Sequence, residues 1–203
     1  AMGHRLPRPG PHRPMEAFLV STGVVAIAEI GDKTQLLALV LAARYRRPLP
    51  IILGILVATL ANHALAAWAG GLAAAWIGPA ALRWILGALF IAMAAWCLIP
   101  DKEGGLPERA AGAGAFAATL VAFFLVEIGD KTQLATVALA ARFEAVILVT
   151  LGTTLGMMIA NAPVVLFGDA IAKRLPLKAI RIVAALIFAV LGTIVLLGAD
   201  LAL

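Results

Sequence analysis

The chain has 203 residues, of which 63% are hydrophobic and only 13% are charged, and its formal net charge is +5. Soluble domains carry about 25% charged residues, so this composition excludes a soluble globular protein and predicts helices that span a membrane. The basic residues lie mostly in short polar gaps between apolar stretches, which indicates membrane topology rather than nucleic-acid binding. The single cysteine, Cys97, excludes an intramolecular disulfide and a cysteine cluster for zinc.

The first 14 residues, rich in Pro, Arg, His and Gly, are expected to form a tag or disordered tail. Six apolar segments follow, and each reaches the ~20 residues that a helix needs to cross a bilayer. They cover residues 16–43, 49–76, 80–99, 113–141, 145–170 and 178–199. We therefore predict an all-α membrane protein with six transmembrane helices.

Charge in the predicted loops gives an orientation. The loops after segments one, three and five carry nine Lys and Arg residues, whereas the opposite face carries two, or five with the tail. Because positive loops stay in the cytoplasm, we expect both termini to lie outside a plasma membrane.

One heptapeptide, Glu-Ile-Gly-Asp-Lys-Thr-Gln, occurs at residues 29–35 and again at residues 127–133. The likeness continues at the same offset beyond the heptapeptide, so the chain is a duplication. We predict repeat one at residues 15–100, a linker at residues 101–111 and repeat two at residues 112–203. Three helices are an odd number, so repeat two would insert upside down, as in the inverted repeats of many secondary transporters.

The charged residues of the heptapeptide are the main functional candidates. Glu29 and Asp32 are three residues apart, so a helix would put both carboxylates on one face, with Lys33 close enough to pair with Glu29. Gly31 and Gly129 could permit a break in the helix or a close approach by a partner helix. Charges at this depth cost about 2.5–3.5 kcal/mol each, so they must be paired, hydrated or used.

Three interpretations of these charges remain open. The glutamates could simply pair with the lysines four residues on, which would leave both aspartates without partners. The acids could relay protons or bind an organic cation. They could also form an oxygen cage of the kind that suits Mg²⁺, Ca²⁺ or Mn²⁺ rather than Cu⁺ or Zn²⁺. Four acids and two lysines leave a formal charge of minus two, which a divalent cation would cancel. Metal binding also releases protons from its ligands, which is a physical basis for exchange.

Asn62 and Asn161 match each other on segments two and five once a single residue is inserted. Each could offer a neutral oxygen to the site. Each could equally form an interhelical hydrogen bond.

With this doubled motif the chain resembles the six-helix cation/proton exchangers marked by two copies of Glu-x-Gly-Asp-(Lys/Arg)-(Thr/Ser). That family includes the Golgi transporter linked to manganese and calcium homeostasis, chloroplast manganese transporters and bacterial manganese exporters. The resemblance covers nearly all of residues 15–203, and the short linker is similar to that of a compact prokaryotic member.

The resemblance implies export of Mn²⁺, or of Ca²⁺ in some members, from the cytoplasm in exchange for protons, with no enzyme activity and no cofactor. It makes the four acids the cation ligands and proton acceptors, with four polar neighbours lining the same site. These residues are Glu29, Asp32, Glu127 and Asp130, with Thr34, Gln35, Thr132 and Gln133.

Other functions stay open at this point. The same fold could export an amino acid or another small organic cation, or it could form a passive cation channel. An intramembrane enzyme or redox carrier is disfavoured, since the chain has one cysteine and no nucleophile–base pair. The sequence leaves open the choice between Mn²⁺ and Ca²⁺, the number of cations bound, the proton stoichiometry and the oligomeric state.

Overall fold

The structure, a computed structural model, describes residues 13–99, 114–168 and 176–198. The predicted linker, residues 101–111, and residues 1–12 of the predicted tail lie outside the described residues. The first helix begins at Arg13, so the last two residues of the predicted tail belong to it.

The described residues form α-helices and turns, which confirms the all-α prediction. The eight helices are α1 (Arg13–Glu29), α2 (Lys33–Tyr45), α3 (Pro48–Trp76), α4 (Pro79–Cys97), α5 (Ala115–Glu127), α6 (Lys131–Phe143), α7 (Val146–Phe167) and α8 (Leu177–Leu197). Four of them, α3, α4, α7 and α8, are long and apolar enough to cross a membrane, and α5 is a shorter apolar helix. These four correspond to the second, third, fifth and sixth predicted segments.

The first and fourth predicted segments are each broken in the middle, which confirms the helix break that Gly31 and Gly129 could permit. The alternative of one continuous helix that puts Glu29 and Asp32 on one face is wrong. Residues 30–32 separate α1 from α2, and residues 128–130 separate α5 from α6. Gly31 has a φ of 82° and Gly129 a φ of 77°, in the left-handed region that glycine adopts without a steric penalty. The motif glycines therefore allow the chain to leave one helix and start the next.

The long helices α3 and α7 pack along both broken helices. The start of α3 contacts α5 at Gly54, where an added β-carbon would lie 2.7 Å from Thr119 Cβ, and the later part of α3 contacts α6 at Gly70. Helix α7 contacts α1 at Gly152, where an added β-carbon would lie 2.5 Å from the Phe18 carbonyl oxygen, and it also contacts α2. Small residues thus let the helix backbones approach closely, as is typical of packing in membranes.

Buried apolar side chains form two clusters among the described residues. The first core combines α1, α6, the later part of α3 and the start of α7 with α4 and α8. The second core combines α2, α5, the start of α3 and the end of α7, and it contains no side chain from α4 or α8.

Helices α4 and α8 form an antiparallel pair, which we call the α4–α8 pair. Gly87 of α4 lies against Gly192 and Leu196 of α8, and the rings of Phe90 and Phe188 stack with centroids 6.3 Å apart. The pair packs on α1 through α8 and on α6 through α4. It therefore covers the broken helices on the side of the first core.

Candidate cation site

The two helix breaks meet, and the charged residues of the two motif copies pair with each other. Lys33 Nζ lies 2.7 Å from Asp130 Oδ1, and Lys131 forms the reciprocal ion pair with Asp32. The interpretation in which Lys33 simply pairs with Glu29 is wrong, because the intervening residues are not helical and the four-residue spacing no longer brings the two side chains together. Both aspartates instead have a lysine partner from the other copy.

The breaks also place helix ends inside the protein. Asp32 and Asp130 occupy the residue before the first turn of α2 and α6, and Asp130 Oδ2 accepts a 3.4 Å hydrogen bond from the Thr132 backbone amide. A carboxylate is stabilised there by the positive end of the helix dipole. Glu29 and Glu127 end α1 and α5, where the negative ends of the dipoles favour a cation.

Three of the four predicted acids form one tight cluster. Glu29, Glu127 and Asp130 are buried, and one carboxylate oxygen of each lies within 4.8 Å of the others. Calcium ligands lie about 2.3–2.6 Å from the ion, so opposite ligands are about 4.6–5.2 Å apart. The cluster therefore has the dimensions of one coordination sphere. Asp32 is outside this group of three and lies beside it through its pair with Lys131.

Several oxygens in this region are buried without a hydrogen-bond partner among the described residues. They are Glu29 Oε2, Glu127 Oε1, Thr34 Oγ1 and Asn161 Oδ1. Buried polar atoms are almost always satisfied, and each one left unsatisfied costs about 1–3 kcal/mol. A bound cation would satisfy such oxygens.

The two threonines differ between the copies. Thr132 Oγ1 lies 3.1 Å from Glu127 Oε2 and 3.3 Å from Asp130 Oδ2, so its hydroxyl can donate to either acid. Thr34, at the matching position, is fully buried and makes no such bond. The site is thus asymmetric although the motifs are identical.

The two glutamines hydrogen-bond to the backbone at the helix breaks. Each side-chain oxygen accepts a hydrogen bond from the backbone amide of its own motif glycine, at 2.8 Å for Gln35 and 2.7 Å for Gln133. Gln35 Nε2 donates to the Ala160 carbonyl oxygen of α7 at 2.8 Å, and Gln133 Nε2 donates to Asn62 Oδ1 of α3 at 3.2 Å. The structure therefore places both glutamines beside the acids, with their oxygens on the backbone.

The two asparagines also have different neighbours. Asn161 Nδ2 lies 3.4 Å from Glu29 Oε1, so Asn161 touches the acid cluster. Asn62 Nδ2 donates to the Phe124 carbonyl oxygen at 3.0 Å while its oxygen accepts from Gln133. Asn62 thus connects α3 to the second broken helix rather than to the acids.

Lys33 and Lys131 were not among the predicted site residues, yet both lie in the site. A signal for them exists in the sequence. Pairing each lysine with the glutamate of its own copy would leave Asp32 and Asp130 without partners, and the lysines in fact pair with these two aspartates.

Comparison with known proteins agrees with the resemblance described above. The sequence model of the family described as "Divalent cation/proton antiporter GDT1" matches residues 17–105 and 115–202. A Vibrio cholerae serotype O1 protein named "Putative manganese exporter" is 52% identical over 175 residues, which are 86% of this chain and 87% of that protein. "GDT1-like protein 5" of Arabidopsis thaliana is 28% identical over 216 residues, covering 88% of this chain and 94% of that protein. No solved structure matches the chain. On the extent of the family match, the chain belongs to the divalent cation/proton antiporter family GDT1, a family of transporters and not of enzymes.

Proposed function

We propose that this protein is a secondary transporter that exports Mn²⁺ from the cytoplasm in exchange for protons. The cluster of Glu29, Glu127 and Asp130 carries the proposal, because it gathers buried carboxylate oxygens at the spacing of one coordination sphere. Mn²⁺ is preferred because the Vibrio cholerae relative is named for manganese export. Ca²⁺ is the second candidate cargo, since it takes the same oxygen ligands.

The charges of the site favour a divalent ion. The two lysines neutralise Asp32 and Asp130 through the reciprocal ion pairs. Glu29 and Glu127 remain, each fully buried, and together they carry a formal charge of minus two. One divalent cation cancels that charge.

The same two glutamates supply the coupling to protons. A carboxylate must be ionised to bind the metal, and two ionised glutamates without a cation are costly inside a membrane. Each glutamate therefore carries a proton when the cation has left. The site holds either one divalent cation or protons. After releasing the metal, the transporter therefore returns to its first orientation only with the glutamates protonated, and this requirement couples cation export to proton import.

In the membrane, we propose that α1 with α2, and α5 with α6, each cross as one broken span, which gives six spans with α3, α4, α7 and α8. The reciprocal ion pairs support two inverted repeats at residues 15–100 and 112–203. The glycine contacts support them too, since the corresponding partners are 98 residues apart. Gly54 contacts Phe116 and Thr119, and Gly152 contacts Phe18 and Ser21.

The orientation follows from the basic residues. Arg44, Arg46 and Arg47 lie at the junction of α2 and α3, which we place in the cytoplasm, with both termini outside. The membrane is then the plasma membrane of a prokaryote.

The test is transport in proteoliposomes that contain a pH-sensitive dye, with Mn²⁺, Ca²⁺ and Mg²⁺ added in turn across an imposed proton gradient. We expect proton flux that depends on Mn²⁺ and disappears in Glu29→Gln and Glu127→Gln. Glu16→Gln makes the same change on the same helix as Glu29, thirteen residues away, and should keep the flux.

Two results would contradict the proposal in different ways. Normal flux in both glutamate variants would refute the assigned site. Absence of flux with every divalent ion, in wild-type protein shown to be folded by gel filtration and circular dichroism, would refute the function.

A further inference from the structure

The α4–α8 pair packs on one side of the cation site and not on the other. We propose, on the basis of the function proposed above, that this pair is a moving gate that covers one side of the site at a time. In this conformation it covers the Lys131 side, and the cation has access from the Lys33 side.

The first observation is the position of the α4–α8 pair. It packs on α1 and α6 within the first core, whereas the second core, around α2 and α5, has no side chain from either helix among the described residues. Each core takes one helix from the first motif copy and one from the second. The two cores are thus equivalent in the elements that they use, except for this pair.

The second observation is the different exposure of the two lysines. The side chain of Lys33 is 27% exposed, whereas that of Lys131 is 5% exposed. A small cavity on the Lys131 side is lined by Gly31, Cys97 of α4 and Arg181 of α8, so the α4–α8 pair forms one wall of it. The lysine under the pair is shielded, and its equivalent on the other side is not.

The third observation is an uncovered apolar surface on α2. Leu36 and Val40 lie one turn apart and are 37% and 43% exposed. The residues 98 positions later on α6 are Leu134, which packs against the first core, and Ala138, which is fully buried in it. Helix α2 therefore presents at this position a surface like the one that receives the α4–α8 pair on α6.

The cation cluster has the same asymmetry. Its aspartate is Asp130, the partner of the exposed lysine, while Asp32, the partner of the covered lysine, is outside the cluster. Moving the α4–α8 pair from α1 and α6 to α2 and α5 would exchange the roles of the two copies. Lys33 would be covered, Lys131 exposed, and Asp32 would replace Asp130 beside the two glutamates. The cation would then leave on the opposite side of the membrane.

The first experiment measures lysine exposure and needs no transport. Metal-free wild-type protein in lipid nanodiscs is treated briefly with a water-soluble acylating reagent, and the modification of Lys33 and Lys131 is quantified by mass spectrometry. Each lysine is paired with one aspartate, so pairing suppresses both reactions and the ratio reports exposure. We expect Lys33 to react about fivefold faster, following the 27% and 5% exposed fractions.

Two matched variants then test the movement. Asp32→Asn removes the carboxylate that holds Lys131 under the α4–α8 pair, so the opposite conformation gains population. Lys33 keeps its partner Asp130 in this variant, so its own reaction rate should fall as the α4–α8 pair covers it. Asp130→Asn makes the same change in the other copy and should keep Lys33 the faster residue. Equal reaction of both lysines in wild-type protein overturns the assignment of the open side, and an unchanged Lys33 rate in Asp32→Asn overturns the movement.

A second measurement uses no acid variant. Ala28 of α1 and the native Cys97 line the same cavity, so in Ala28→Cys a short bifunctional thiosulfonate should hold α4 on α1. Transport should stop on cross-linking and resume on reduction, while Ala28→Cys with Cys97→Ala should be insensitive. Continued transport by fully cross-linked protein overturns the gate. A protein that transports no cation at all, yet gives the expected lysine ratios, refutes the proposed function and leaves the gate standing.

Discussion

Neutralising Lys131 should destabilise the protein more than neutralising Lys33, although the two lysines have the same position in identical motifs. Lys131 is 5% exposed and its partner Asp32 is 0% exposed, so Lys131→Gln leaves a carboxylate buried without its counter-charge. Breaking such a buried pair costs about 3–5 kcal/mol. Lys33 is 27% exposed but Asp130 is 2% exposed, so Lys33→Gln also leaves a buried carboxylate, one that keeps hydrogen bonds from the Thr132 hydroxyl and backbone amide. That cost should be lower, about 1–3 kcal/mol.

The free energy of unfolding can be measured by titration with sodium dodecyl sulfate in mixed micelles, followed by tryptophan fluorescence. The double variant Lys131→Gln with Asp32→Asn removes both charges and should recover most of the loss, which gives a large coupling energy in a double-mutant cycle. The same cycle for Lys33 and Asp130 should give a smaller coupling. Equal costs for the two lysines, or additive effects of Lys131 and Asp32, would refute the buried reciprocal pair.

Four further predictions concern the helix breaks and the packing. Gly129→Ala should cost about 1–2 kcal/mol of unfolding free energy in the same titration and slow transport, because its φ is 77° although the space around it is open. Gly23→Ala, in open space within α1, should instead stabilise the protein by about 0.5–1 kcal/mol, and a loss there would contradict the reasoning. Gly152→Ala should cost about 1–3 kcal/mol because the new β-carbon meets the backbone of α1; an unchanged midpoint would show that the helices can separate freely. Gln133→Ala should lower stability by about 1–3 kcal/mol through its two lost hydrogen bonds, and its effect should be non-additive with that of Asn62→Ala, which loses one of the same bonds.

The helices and most of the site residues can be predicted from the sequence, but the backbone conformation of the motif cannot. Long apolar segments predict helices wherever they occur, so α3, α4, α7 and α8 follow from hydrophobicity alone. A glycine in a membrane helix serves either for close packing or for a change of backbone direction, and Gly31 alone does not decide between them. An aspartate directly before α2 is a helix-start signal inside an apolar segment, and it could have favoured the break.

Partner choice was beyond the sequence for a different reason. The interpretation that paired Glu29 with Lys33 relied on a spacing that holds only inside one helix. The choice of Asp130 over Glu29 is made by the meeting of two breaks that are almost a hundred residues apart. Identical motifs also cannot encode a difference between Lys33 and Lys131. That difference arises from the position of α4 and α8, which lie far from both motifs along the chain.

The crossed ion pairs have a consequence for how the protein is made. During synthesis the first motif reaches the membrane before the second has been translated. Asp32 and Lys33 are then inserted without the partners that they have in the folded protein. Each isolated charge at that depth costs about 2.5–3.5 kcal/mol, so the early intermediate is strained or sits nearer the membrane surface. Completion of the second motif removes this penalty in one step, which links correct biogenesis to translation of the whole chain. A product truncated in the middle is then a poor membrane protein and a natural target for membrane proteases.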